Sequence, residues 1–151
     1  MILGIDPGLS GALVLLDKNE PIEWIHMPTY QVGKHNRVSC ATLAAWLDDI
    51  FADHTITEAK IELVHAMPGQ GVTSMFTFGH AVGSVMGVLG ALMIPVTQVP
   101  PRTWKAAAGL LGTDKDAARS RAIELWPKWR ELDKKGKGQA LADAALIGRF
   151  G

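Results

Sequence analysis

Three acidic residues stand where a carboxylate is hard to accommodate without a task. Asp6 ends the apolar run Ile2-Leu3-Gly4-Ile5. A carboxylate buried there is costly unless it is paired or binds a cation. The competing reading is a turn aspartate ahead of Pro7-Gly8. Glu62 lies within Lys60-Ile61-Glu62-Leu63-Val64. Central strands of parallel sheets read as continuous apolar runs, so an acid there is unusual; the alternative is a surface Glu on an edge strand. Asp143 sits among Ala140, Leu141, Ala142, Ala144 and Ala145. Asp has poor helix propensity, and its small neighbours allow close packing against another element; the alternative is a solvated helix face. Carboxylates from separate elements that converge where strands end form a seat for Mg²⁺ or Mn²⁺. Two such ions about 3.5–4 Å apart can activate water and stabilise the leaving oxygen in phosphodiester cleavage.

These residues need elements to hold them. Residues 2–6, 12–16 and 22–27 read as three strands joined by turns, an antiparallel meander. In the third, alternation puts Ile22, Trp24 and His26 on one face and Glu23 and Ile25 on the other. Residues 30–38 are polar and read as a loop. Ser39 can cap a helix with Leu43, Trp46, Leu47, Ile50 and Phe51 at helical spacing. A strand over 59–64 leads into a Gly/Pro loop over 67–73. A long helix over 74–93, a strand over 95–99 and a short helix around Trp104 follow. Thr113 and Asp116 have the spacing of a capping box for a helix ending near Pro127. The basic segment 128–137, with Gly136 and Gly138, reads as a mobile loop, and 139–150 as an amphipathic helix. This order predicts an α/β fold: a mixed five-stranded sheet, three-strand meander plus parallel strands, flanked by helices. No repeat or linker divides the chain, so a single domain over 1–151 is expected.

Composition narrows the class. The chain has 151 residues, 48% of them hydrophobic, which excludes a disordered chain. A lone cysteine, Cys40, excludes a disulfide scaffold and agrees with a reducing compartment. The net charge is zero, but it is unevenly spread. Residues 1–100 carry four basic residues against nine acids, a balance of −5; residues 101–151 carry eleven against six, a balance of +5. That asymmetry fits an acidic site beside a basic surface for a polyanion. Met1 leads directly into the first strand without a basic leader. The most apolar stretch, 85–99, is broken by Gly87, Gly90 and Pro95 and falls short of the ~20 residues that span a bilayer. A soluble, cytoplasmic protein without a membrane partner is expected.

Ile2-Leu3-Gly4-Ile5-Asp6-Pro7-Gly8, then Ile61-Glu62-Leu63-Val64, then Ala142-Asp143-Ala144 resemble the RuvC family of Holliday-junction resolvases, which are RNase H-like nucleases. The likeness is nearest to the phage-encoded branch, through residues 62–71, Phe78-Gly79, Trp104-Lys105 and Leu146-Ile147. It runs nearly end to end in the right order. It implies an RNase H-like fold and a homodimer. It also implies metal-dependent cutting of two symmetric strands of a four-way DNA junction, leaving 5′-phosphate and 3′-hydroxyl ends. A phage-encoded protein would act in the cytoplasm of a bacterial host.

The resemblance assigns Asp6, Glu62 and Asp143 as ligands of two Mg²⁺ ions, Mn²⁺ being possible. The family's fourth ligand is an Asp or His three or four residues before the last acid; those places hold Ala140 and Gln139. Gln139 shares a helix face with Asp143. Its amide oxygen can ligate a hard cation but brings no charge and cannot act as a base. A junction-binding protein that cuts weakly is therefore the alternative function. Lys105 and Lys115 resemble family lysines near the scissile phosphate. Lys115 falls in the first turn of a helix, where a bound phosphate would offset its conflict with the macrodipole.

Arg119, Lys134, Lys135 and Lys137, with Arg121, Lys128 and Arg130, supply charge for phosphates, which gives affinity rather than base choice. Trp126 and Trp129 read as packing residues. His65, Met67 and Gln70 lie in or beside the loop after Glu62 and could meet the junction bases. Gly79, Gly83 and Gly87 recur at every fourth position. They allow close approach either of this chain's own sheet or of a second subunit. Asp-x-Gly after a first strand also occurs in actin-type and sugar-kinase ATPases, but those need two such domains and 151 residues are too few.

Overall fold

Alternation along the first strand decides which side of the sheet receives the carboxylates. The computed structural model describes residues 1–65, 69–114 and 116–151; Met67 and Lys115 lie outside them. Its elements are β1 (Ile2–Asp6), β2 (Ala12–Asp17), β3 (Glu20–His26), β4 (Thr29–Val32), β5 (His35–Val38), α1 (Cys40–Asp53), β6 (Glu58–Glu62), α2 (Val72–Ala91), β7 (Val96–Val99), α3 (Pro101–Ala107), α4 (Ala117–Leu125), a 3₁₀ turn (Arg130–Asp133) and α5 (Lys135–Phe150). The main sheet has the order β3-β2-β1-β6-β7. β1 pairs antiparallel with β2 and parallel with β6, and β6 pairs parallel with β7. This is the expected mixed sheet. Leu3, Ile5, Leu13, Leu15, Ala59 and Ile61 pack on one face with Leu43 and Leu47 of α1 and Ala81, Val85 and Leu89 of α2. Ala12, Val14 and Leu16 pack on the other face with Trp104 and with Leu141, Ala145 and Leu146 of α5. Strand side chains alternate, so Asp6 joins Gly4 on the α5 face, and Glu62 joins Lys60 there.

Gly4 is what lets α5 come down onto β1. A methyl there would lie 2.7 Å from the Gly148 nitrogen, and one on Gly148 would lie 3.1 Å from the Gly4 Cα. α5 is not amphipathic as expected. From Ala140 to Gly148 only Asp143 escapes full burial, because α4, the 3₁₀ turn and the sheet surround the helix. Asp143 is thus half-buried in an otherwise buried stretch.

Several local expectations are corrected. Alternation in β3 is interrupted: Leu15 pairs with Glu23 but Leu16 with Pro21, a bulge that leaves Ile22 unmatched. Ile22 therefore packs with Ile25, while Trp24 faces the α5 side. The β2–β3 turn takes left-handed Lys18 (φ 48°) and Asn19 (φ 70°), as a two-residue hairpin with both central residues left-handed requires. Residues 30–38 are no loop. β4 and β5 form a separate two-stranded hairpin turning at Gly33 (φ 58°) and Lys34. Its side chains are mostly polar and exposed, so it lacks the apolar alternation by which strands are recognised.

The capping residue of α4 is Asp114, whose Oδ1 accepts from the Asp116 and Ala117 amides at 3.0 Å each. Thr113 instead donates its hydroxyl to the Leu110 carbonyl. Segment 128–137 is structured: the 3₁₀ turn fills its middle and α5 begins at Lys135. Gly138 sits inside α5 where the Leu132 carbonyl leaves no room for a Cβ. Trp126 and Trp129 are core residues, edge-on to one another at 6.0 Å.

α2 is, by length and composition, apolar enough to cross a membrane, unlike the 85–99 stretch singled out in the sequence. Ala81, Val85, Val88 and Leu89 commit one face of it to the core. Gly79, Gly83 and Gly87 lie on the opposite face, with open space beyond them. Their own sheet is therefore not what they accommodate.

Candidate active site

Asp6 and Glu62 end two neighbouring parallel strands. The last registered pair of β1 and β6 is Ile5 with Ile61, so the two acids stand side by side one residue further on. The carboxyl ends of parallel strands are where open α/β sheets place their ligands. Asp143 faces them from α5. Desolvation and like charges leave their mark on Asp6 and Asp143, both half-buried. Desolvation chiefly, with Glu62 adding, raises the Asp6 pKa from 3.8 to about 6, against a lowering bond from the Gly8 amide. Desolvation, then Asp6 and Glu62, raise Asp143 from 3.8 to about 7, while the Gln139 side chain and Lys105 oppose the shift. Groups of one sign forced into one dry pocket behave this way.

Each acid has a distinct polar neighbour. The Gly8 amide donates to Asp6 Oδ1 at 3.4 Å, so Asp6 also takes the turn role that competed with the metal reading. Gln139 Nε2 donates to Asp143 Oδ1 at 3.1 Å. The Trp104 indole N–H donates to Glu62 Oε1 at 2.9 Å. Trp104 is 2% exposed, so this donor is fixed in the core. In the sequence Trp104 marks a short helix and the resemblance, and nothing local points to Glu62 as its partner. The lone polar atom of an otherwise apolar side chain was the available signal, because a buried Trp N–H usually finds a partner.

Lys105, Leu110, Gly112, Asp114, Gln139 and Asp143 line a cleft of about 380 Å³. Lys105 thus shares a cleft with Asp143; its Nζ lies 5.3 Å from the Trp104 ring centroid. Four other basic residues expected to meet DNA have described surroundings. Arg119 is partly buried and donates to the Leu132 carbonyl at 3.3 Å, a tie between α4 and the 3₁₀ turn. Lys134 pairs with Glu131 at 2.6 Å and Lys135 reaches Asp116 at 3.9 Å. Lys137 is exposed and lines a second cleft with Leu9, Ser10, Gly11 and His26. Burial, then Lys137, lower the pKa of His26. His65 and Gln70 are exposed beside the loop after β6.

The donors suit a hard divalent cation: carboxylate oxygens and one amide oxygen. Gln139 Oε1 is buried and has no hydrogen-bond partner, an acceptor beside Asp143 awaiting a positive group. Among the described residues, no three of the His, Cys, Asp or Glu side chains converge tightly enough, as they stand, to hold one ion. Closing the set requires side-chain movement of the acids.

No family model matches the chain, and no curated protein matches it. Solved structures do. One is Thermus thermophilus RuvC in complex with a Holliday junction substrate: TM-score 0.69 and 14% identity, over 99% of this chain and 92% of that one. Another, described as a Thermus thermophilus RuvC structure, gives TM-score 0.56 and 16% identity, over 97% and 90%. At such low identity the likeness is one of architecture: the chain has the RNase H-like fold of the RuvC structures, along nearly its whole length.

Proposed function

We propose that the protein is a metal-dependent, structure-selective DNA endonuclease that resolves four-way junctions, with the phage-encoded RuvC branch as its nearest kin. The observation that carries this reading is the meeting of Asp6 and Glu62, at adjacent strand ends, with Asp143 on α5. Asp6, Glu62 and Asp143 would hold two Mg²⁺ ions, with Gln139 Oε1 as a neutral fourth donor. When bound, the ions would supply an activated water and charge stabilisation at the leaving oxygen.

The chain's own residues do the rest. Trp104 orients Glu62, and Gln139 orients Asp143. Lys105, at the open side of the cleft, supplies positive charge against the phosphate as negative charge builds, an electrostatic role; Lys115 is assigned the same role by resemblance. Lys134, Lys135, Lys137 and Arg119 belong to the half of the chain with surplus positive charge and would hold the arms. His65, Met67 and Gln70 would face the junction centre.

Resolution needs two cuts related by symmetry, so the working unit is a homodimer. The outward face of α2 supports this assignment. Val72 and Phe76 are 79% and 62% exposed, and Gly79, Gly83 and Gly87 continue the same face without side chains. A small-residue stripe of this kind admits a second helix closely. An exposed free thiol at Cys40 fits the reducing bacterial cytoplasm.

The test is cleavage of a synthetic four-way junction beside linear duplex of the same sequence, with Mg²⁺ and with chelator. Paired symmetric nicks in the junction only, dependent on Mg²⁺ and abolished by Asp6→Asn, are expected. Unchanged cutting by Asp6→Asn would overturn the site. Tight junction binding with negligible cutting would favour the second reading, a junction binder, whose motive is the amide at Gln139.

A further inference from the structure

The hairpin β4–β5 has no place in the carboxylate site. Its strands pair with each other and not with the main sheet. Its charge is one-sided. No Asp or Glu occurs from residue 24 to residue 47, and Lys34, His35 and Arg37 all fall within the hairpin. Lys34 and Arg37 are two of the four basic residues in the otherwise acidic first 100. Residues 30–36 are all exposed, and among the described residues neither Lys34 nor Arg37 has an acidic partner. A basic surface without counter-charges is matched to a polyanion.

Its position is set by α2. The Arg37 guanidinium lies 5.7 Å from the Phe76 ring centroid. Two residues along the helix, and so on its other side, Phe78 lies within 3.9 Å of where a Gly8 methyl would be. Gly8 in turn bonds Asp6. One helix therefore separates the hairpin from the Asp6 loop, about 10–12 Å. The major groove of duplex DNA is about 12 Å wide, and a two-stranded ribbon matches its dimensions.

We infer that the β4–β5 hairpin grips the duplex arm flanking the cleavage point, Lys34, His35 and Arg37 contacting phosphates across one groove from the strand held at the carboxylates. This rests on the nuclease reading and adds a contact surface from the acidic half of the chain. Arg37 is held by the Phe76 face, so it presents its charge at low entropic cost.

The test is a salt titration of binding to a fluorescent four-way junction in Ca²⁺, comparing wild type with Lys34→Gln/Arg37→Gln. Each lost phosphate contact should flatten the slope of log affinity against log salt by about 0.9, so about 1.8 in all. The loss of affinity between 50 and 200 mM salt should then shrink about tenfold relative to wild type. Lys34→Gln alone, at the exposed turn, should flatten the slope by about 0.9 without a change in melting temperature. Unchanged slopes in a wild type that binds and cuts would overturn the hairpin assignment alone. A changed oligomeric state with an unchanged slope would overturn it too, marking a protein-binding surface. A wild type that does not bind junctions would remove the nuclease reading and this inference together.

Discussion

The Trp104 indole N–H donates to Glu62 Oε1 at 2.9 Å from a ring that is 2% exposed. The bond fixes the only one of the three acids that sits on β6, and it leaves Glu62 Oε2 for other partners. Partners of this kind orient metal-binding carboxylates, and their loss costs about 10–100-fold in metal affinity. Trp104→Phe keeps most of the ring and removes the donor. Calorimetric Mg²⁺ or Mn²⁺ affinity should fall about 10–100-fold, and cleavage should need correspondingly more metal. A merely structural Trp104 would lower the melting temperature and leave metal affinity unmoved.

Much of this arrangement was legible in the sequence, for identifiable reasons. Asp6 and Glu62 interrupt apolar runs, and each marks the end of a strand. The helix after Ser39 was readable because Leu43, Leu47 and Ile50 recur at its period, and Ser39 Oγ accepts from the Thr42 amide. The hairpin was hidden because, Val38 apart, its side chains are not buried and show no apolar alternation. The early start of α5 was hidden because Gly136 and Gly138 imitate a loop, whereas Gly138 is required by the Leu132 carbonyl, a tertiary contact. The bulge at Ile22 depends on pairing with Leu15 and Leu16 and has no local signature. The same limit applies to Trp104: its partner lies 42 residues away.

Gln139 donates to Asp143 from one helical turn away, where the resemblance calls for an acid. Its Oε1 is a buried orphan. Gln139→Asp would add a charged oxygen ligand next to a carboxyl already pushed up to about 7. Metal-free protein should lose stability from the added repulsion, on the order of 1 kcal/mol or more near neutral pH. Metal affinity should rise. If the amide limits turnover, cleavage rises with it by tenfold or more; undiminished wild-type activity, with no gain in the variant, would show that three carboxylates suffice. Melting curves with and without Mg²⁺, beside single-turnover cleavage, separate these results.

Gly83 lies at the middle of the exposed α2 stripe, with open space where a side chain would go. Replacement by Gln should not harm the isolated subunit. It should favour the helix by several tenths of a kcal/mol, since Gly is a poor helix former. If α2 meets a second α2, the same side chain holds the helices apart. Sedimentation should then show a monomer where wild type is a dimer, with an unchanged or higher subunit melting temperature and loss of paired symmetric nicks. A dimer that survives Gly83→Gln places the interface elsewhere.

The two raised carboxyls make stability depend on pH in a definite direction. In the folded chain Asp6 titrates at about 6 and Asp143 at about 7, whereas 3.8 is the ordinary value for both. Between about pH 4 and 7 the folded state therefore holds more protons than the unfolded state, and stability falls as pH rises. Below 3.8 both states are protonated; above 7 the loss is complete. Metal-free protein should thus melt at a lower temperature at pH 8 than at pH 5. Asp143→Asn removes the larger of the two penalties. In chelator at pH 8 it should be more stable than wild type by on the order of 1–3 kcal/mol, and the gap should close by pH 4. Mg²⁺ should reverse the order at pH 8, because it stabilises only the state that binds it, and the wild type binds it better. Scanning calorimetry at pH 8, 5 and 4, with and without Mg²⁺, gives these comparisons. An Asp143→Asn protein less stable than wild type in chelator at pH 8 would mean that the carboxylate is satisfied by its neighbours, and that its burial serves the fold rather than a cation.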